Sequence, residues 1–130
     1  RNKGHLPIPV TGGGVIVGHF GQYAVPGLSG VRLDNKGIDI RAHAGAFARS
    51  VFNGEVSAIF SYGGMVGILV RHGSYISVYC NLASVSVSRG QQVRTGQSLG
   101  RIATNDSGNT ILHFQLRKET AKLNPESWIR

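Results

Sequence analysis

A chain of 130 residues suits one domain, and a domain of this size buries roughly two thirds of the surface its unfolded chain exposes. Nineteen glycines, four prolines and 41% apolar residues, with little clustering of Ala, Leu, Glu and Lys, exclude disorder and point to short strands joined by tight turns. Fourteen Lys and Arg against six Asp and Glu give a formal charge of +8, which favours nucleic acid, a membrane surface, cell-wall polymer or an acidic protein face.

In chain order, Arg1 to Gly4 reads as a frayed leader, and the domain begins near His5. Arg1 is not an initiator methionine, so the chain is expected to be the C-terminal part of a longer protein whose targeting information lies elsewhere. Strands are expected over Val15 to Phe20, Gly37 to Arg41, Gly54 to Phe60, Val66 to Arg71, Tyr75 to Asn81 and Ile111 to Arg117. Each is rich in β-branched or aromatic residues and bounded by Gly, Asn, Asp or Ser. Shorter extended pieces are expected around Val85 to Val87, Gln92 to Val93 and Ser98 to Ile102. His72-Gly73-Ser74 signals a hairpin, and Gly63-Gly64 a second bend. Asn124-Pro125-Glu126-Ser127-Trp128 reads as a helical turn, with Pro125 suited to its first position. No repeat, linker or low-complexity tract stands out. The expectation is a single all-β domain over residues 1–130, an antiparallel β-sheet or sandwich.

The basic residues are scattered and not interleaved with aromatics, which argues against nucleic acid. The longest apolar stretch, Met65 to Val70, is too short to cross a bilayer, so no membrane insertion is expected of this segment. Cys80 is the only cysteine, which excludes an internal disulfide. In the alternating run Ile76, Val78, Cys80 it reads as a small buried hydrophobe.

Alternation along strands then places the polar residues. Leu112, Phe114 and Leu116 form one face of the last long strand and are assigned to the core. Ile111, His113, Gln115 and Arg117 form the other. Ile38 and Ile40 point one way and Asp39 and Arg41 the other, so a carboxylate and an imidazole can look into one groove. Taken singly, each is an ordinary polar residue on an exposed strand face.

The wider pattern changes that weighting. The succession Asn35-Lys36-Gly37-Ile38-Asp39-Ile40, Gly54-Glu55-Val56, Val70-Arg71-His72-Gly73, Tyr79-Cys80-Asn81-Leu82, Val87 to Gly100 and Leu112-His113-Phe114 resembles the LytM-type (lysostaphin-like) zinc metallopeptidases in order and spacing. The resemblance covers roughly residues 13 to 128. Its most specific pieces are the Val-x-x-Gly-x-x-Val-x-x-Gly-Gln stretch and the His-Phe strand. Within that group, Gly4-His5-Leu6-Pro7-Ile8-Pro9-Val10 and Leu123-Asn124-Pro125-Glu126-Ser127-Trp128 resemble the EnvC branch of murein hydrolase activators. The implied fold is the LytM type, with a groove over the sheet.

In active members of the resembled family a His, an Asp and a second His hold zinc, a water completes the tetrahedron and two further histidines assist. Position by position the ligands fall on Asn35, Asp39 and His113, and the assisting residues on Asn81 and Ile111. An asparagine amide is a weak neutral ligand, and two remaining donors should not hold the ion. Asn81 cannot exchange a proton near neutral pH, and Ile111 can donate no hydrogen bond. Each lost assisting group typically removes on the order of 10² to 10⁴ in rate. The resemblance therefore implies a degenerate peptidase with no cofactor, Asn35, Asp39 and His113 being vestigial metal positions. Of the other histidines, His43 falls in a loop, His72 before a hairpin glycine, His19 near the cleft entry and His5 in the leader; none is well placed to rebuild a site.

The EnvC resemblance implies a binding role in the periplasm during cell division and separation. The partner would be a zinc-dependent N-acetylmuramoyl-L-alanine amidase, whose autoinhibitory regulatory helix the groove captures. Candidate partner-binding residues are Lys36, Asp39, Asn81, Ile111, His113 and Arg117. Tyr62 and Met65 are candidates for the rim, and Tyr79 fits core better than rim. An upstream coiled coil would link the domain to the division machinery. The alternatives are a peptidoglycan-binding module held to the cell wall by its charge, and an active zinc endopeptidase with substitute ligands.

Overall fold

The structure, a computed structural model, describes residues 3–24 and 32–130. Arg1 and Asn2 of the expected leader lie outside the described residues, while Lys3, Gly4 and His5 are exposed in a turn. The described residues form β1 (Gly14–Gly18), β2 (Gly21–Ala24), β3 (Arg32–Asn35), β4 (Ile38–Ala42), β5 (Phe47–Arg49), β6 (Gly54–Tyr62), β7 (Met65–His72), β8 (Tyr75–Leu82), β9 (Gln92–Val93), β10 (Ser98–Arg101), β11 (Thr110–Lys118) and β12 (Ala121–Leu123). A 3-10 turn follows at Pro125–Ser127, capped by the Asn124 side chain accepting from the Glu126 N–H. Main-sheet order is β1-β4-β11-β8-β7-β6-β9, with β12 added beside β11. β5 with β10, and β2 with β3, make two small sheets. All these strand pairs are antiparallel.

The central meander follows from its two turns. Between β6 and β7 only Gly63 and Gly64 intervene, with φ of 52° and 80°, the doubly left-handed form that a two-residue hairpin requires. Gly73 (φ 69°) with Ser74 turns β7 into β8. The core face of the sheet carries Ile38 and Ile40 of β4, Leu112, Phe114 and Leu116 of β11, Tyr79 of β8, Ile68 and Val70 of β7, and Val56 of β6. They join Leu6, Val10, Ala48, Leu99 and Ile102 in one buried cluster, so the β5–β10 sheet and the N-terminal segment form the second layer. The Tyr79 and Phe114 rings lie 5.4 Å apart. The fully buried Tyr79 hydroxyl accepts from the Val51 N–H at 3.1 Å, and burial pushes its pKa up to about 12.

Several sequence expectations need correction. Val85 to Val87 is not a strand: Ser86 donates one backbone bond to Leu99, but no ladder continues from it. The first strand stops at Gly18 and excludes His19 and Phe20. β2, β3, β5 and β12 were not anticipated. The Val-Gly-Gln stretch holds a short repeat, where none was expected. Val87-Ser88-Arg89-Gly90-Gln91 and Val93-Arg94-Thr95-Gly96-Gln97 are the same turn twice, each with a left-handed glycine and a Gln side chain accepting from the N–H three residues earlier.

Candidate functional site

The site sits on the face of the sheet opposite the core, and strand register assembles it. Asp39 of β4 lies directly across from His113 of β11, and His113 across from Cys80 of β8. Ile111, His113, Gln115 and Arg117 share this face because β11 alternates strictly, with Leu112, Phe114 and Leu116 buried between them. Two glycines let the neighbouring strands approach. Any Cβ at Gly37 would strike the Phe114 carbonyl, and one at Gly18 would strike the Asp39 carboxylate.

These side chains form a continuous hydrogen-bonded chain. Asn35 Nδ2 donates to Asp39 Oδ2 at 3.1 Å, and the Gly37 N–H donates to Asn35 Oδ1 at 3.2 Å, which fixes how the Asn35 amide is turned. His113 Nδ1 lies 2.8 Å from Asp39 Oδ1, with the two side chains 27% and 33% exposed. Gln115 Nε2 lies 3.0 Å from His113 Nε2. Arg117 donates to Gln115 Oε1 from Nε at 3.2 Å and from Nη2 at 2.7 Å. Because Arg117 claims the oxygen of Gln115, the NH₂ of that amide faces His113. Nε2 of His113 therefore accepts, and Nδ1–H donates to Asp39. Both carboxylate oxygens and both ring nitrogens are engaged.

The other sequence candidates fall around this chain. Asn81 is left-handed (φ 81°) and donates from Nδ2 to the Ile111 carbonyl at 2.7 Å, bracing β8 against the start of β11. Ile111 is partly exposed and faces Arg41 across the strands. Lys36 is exposed in the β3–β4 turn. Tyr62 is 46% exposed and lies across from Met65. Burial raises the pKa of both Tyr62 and Cys80. Tyr79 belongs to the core and not to the rim. Cys80 corrects its sequence reading: it is half-buried on the site face, whereas Ser77 and Tyr79 take the core side of β8. Gln115 and Gly18 went unrecognised as site residues. Alternation on β11 could have signalled Gln115, but Gly18 follows only from the β1–β4 register.

Among the described residues, no three His, Cys, Asp or Glu side chains cluster as a metal site. Asn35 turns its NH₂ toward Asp39, and the two remaining donors are bonded to each other. A zinc normally takes three protein ligands, so this donor set does not fit it. His5, His19 and His43 are exposed, and His19 pairs with Glu126 at 2.6 Å. His72 is held by the Asn53 carbonyl at 2.8 Å and Ser77 Oγ at 2.7 Å, and burial lowers its pKa.

The fold and the paired Asp39 and His113 define a class, and the sequence profile of Peptidase family M23 matches residues 34–125. The chain belongs to that family, the LytM type. It is 37% identical over 134 residues to the Neisseria meningitidis protein NMB1333, covering 100% of this chain and 21% of that protein. It is 30% identical over 95 residues to the murein hydrolase activator NlpD of Escherichia coli, covering 70% of this chain and 25% of NlpD. It thus spans about a fifth to a quarter of the length of these two relatives. Helicobacter pylori Csd3 superposes with a TM-score of 0.80 at 26% identity, over 98% of this chain and 35% of that one. No helix among the described residues is long and apolar enough to cross a membrane.

Proposed function

We propose that this domain is a non-catalytic activator of a periplasmic zinc-dependent N-acetylmuramoyl-L-alanine amidase, acting in cell separation in the manner of the EnvC branch. The observation that carries the reading is the closed chain Asn35–Asp39–His113–Gln115–Arg117, which spends on protein partners the atoms a metal would need. Similarity to NlpD, whose name is murein hydrolase activator, supports the activator role, and similarity to proteins named as lipoproteins in Escherichia coli and Pseudomonas aeruginosa supports an envelope location.

The groove takes the amidase's regulatory helix, with Ile111 as an apolar contact and Lys36 and Arg117 meeting carboxylates on the helix. Asp39, His113 and Asn81 shape the floor. Capture shifts the amidase from a blocked to an open state. A switch from 1:99 to 99:1 requires roughly 5.5 kcal/mol of preference for the open form. The zinc chemistry belongs to the partner.

The test uses purified amidase with the domain and its Ile111→Asp and Arg117→Glu variants, each checked for folding. Activation should be lost in the first variant and weakened in the second. Full activation by both would overturn the reading, and retention on purified sacculi without any effect on the amidase would favour a peptidoglycan-binding module.

A further inference from the structure

We propose that the outer edge of β1 is a strand-addition site for an extended segment of a partner protein, apolar at alternate positions and flanked by carboxylates. This inference stands apart from the groove reading. Among the described residues, β1 ends the main sheet and is bonded to β4 alone. Among the described residues, no backbone hydrogen bond from outside that pair reaches Gly14–Gly18.

The strand reads Gly-Val-Ile-Val-Gly, without charge or proline, and Val15 and Val17 are 57% and 46% exposed. Sheet proteins ordinarily blunt such an edge with charge, proline or brevity. The other end of the same sheet is blunted in that way, since β9 is two residues long and runs into exposed Arg94. On β1 the register shift between Ile16 and Gly18 disturbs only the far end and leaves Gly14, Val15 and Ile16 in regular pairing.

Strand addition draws affinity from the backbone and selectivity from alternate side chains. On the groove side an incoming strand would cover Val15 and Val17. On the opposite side Ile16 borders a cavity of about 190 Å³ lined by Ile8, Gly14, Ile40, Glu126, Ile129 and Arg130, which has room for a branched apolar side chain.

Charge identifies the flanks. Arg41 lies across from Val15, and Arg130 stands at the cavity mouth; neither has an ion-pair partner among the described residues. The nearby acids are already engaged, Glu126 with His19 and Asp39 with His113. Gly-Val-Ile-Val-Gly is also a palindrome, so a second copy of the chain could pair with it antiparallel. A charge of +8 on each copy opposes that. An acidic partner segment is the occupant that the charges select.

The probe is a synthetic heptapeptide, Glu-Val-Thr-Ile-Thr-Val-Glu, titrated into the isotope-labelled domain by NMR. Shift changes and slowed amide exchange should concentrate on Gly14–Gly18 and the Val15 and Val17 methyls. Arg41→Glu, an exposed change whose folding the same spectrum reports, should weaken binding by roughly tenfold. A Lys-flanked peptide should recover that loss. The proposal falls if millimolar peptide leaves β1 unperturbed, or if the shifts centre on Ile111 and His113. It falls also if the domain alone dimerises through β1, which would give the edge to a second copy.

Discussion

Replacing Asn35 with His should install a zinc site where the described residues group only two donors, Asp39 and His113. Asn35 gives one hydrogen bond to Asp39 and receives one from Gly37, at 3.1 and 3.2 Å, in a half-buried setting. At about 0.5–1.5 kcal/mol each, losing both should destabilise the metal-free variant by roughly 1–3 kcal/mol. For a chain of this length that corresponds to a fall of about 3–10 °C in melting temperature. The new imidazole joins Asp39 and His113 as a third donor, the number that a catalytic-type zinc site asks of its protein. Free zinc at about a hundred times its Kd would then restore about 2.7 kcal/mol, offsetting most or all of the loss.

The assay is scanning calorimetry of the domain and Asn35→His, each with EDTA and with excess zinc. The variant should melt lower than the domain in EDTA and rise sharply in zinc, whereas the domain itself should not respond. No peptide hydrolysis should accompany the metal, because Asn81 cannot exchange a proton near neutral pH and Ile111 can donate no hydrogen bond to the reaction. An equal zinc response in the unsubstituted domain, or none in a folded Asn35→His variant, would refute the reasoning.

Three further outcomes follow from the burial and packing. The Tyr79 phenol, pushed from 10.0 to about 12, keeps its proton longer in the folded state, so its stabilisation is full below pH 10 and is lost as pH rises from 10 to 12. Denaturant midpoints should drop across that window and drop less in Tyr79→Phe. His72, lowered from 6.5 by burial, acts in the opposite sense: its stabilisation is present above pH 6.5 and is lost as pH falls through the folded value. Midpoints at pH 7.5 and 5 should therefore differ, and His72→Gln should narrow the gap. Gly18→Ala should displace the Asp39 carboxylate and cost more than about 1 kcal/mol, seen as a lower melting temperature with a changed His113 ring signal in NMR.

The parts of this fold that alternation governs were legible in the sequence. β11 was readable on both faces because Leu112, Phe114 and Leu116 alternate without interruption with polar or exposed residues. Both hairpin turns were readable because their glycines carry the left-handed backbone that the turns need. β5 is three residues long and exists through a partner distant in sequence, Ser98–Arg101, so no local pattern marks it; β12 is the short return arm of a tight hairpin on Leu116–Lys118, whose turn residues, Glu119 and Thr120, carry no glycine, asparagine or proline signal. Val85–Ser86–Val87 has strand composition, yet its neighbours make only single bonds to the edge of β10: Ala83 to Arg101, and Ser86 to Leu99. Cys80 was assigned to the right row and the wrong side. β8 is apolar on both faces, and its core side includes a buried serine held by His72, so hydrophobicity could not orient it.

That Asn35, Asp39 and His113 lie together follows from the strand pattern, but the hydrogen-bonded chain does not. Residue types show that Asn35 and Ile111 lack what a zinc peptidase needs; they do not show that Gln115 occupies the free nitrogen of His113, or that Arg117 orients Gln115. That arrangement gives Asp39 and His113 a structural use without a metal. It also joins the two surfaces assigned to partners, since Gly18, the last residue of β1, packs directly on the Asp39 carboxylate. A segment added to β1 would press on the backbone that seats Asp39, and a helix in the groove would touch the side chains that Asp39 anchors. The groove and the sheet edge therefore share a seam without side-chain bulk, and a shift of β1 toward or away from β4 reaches His113 through one carboxylate.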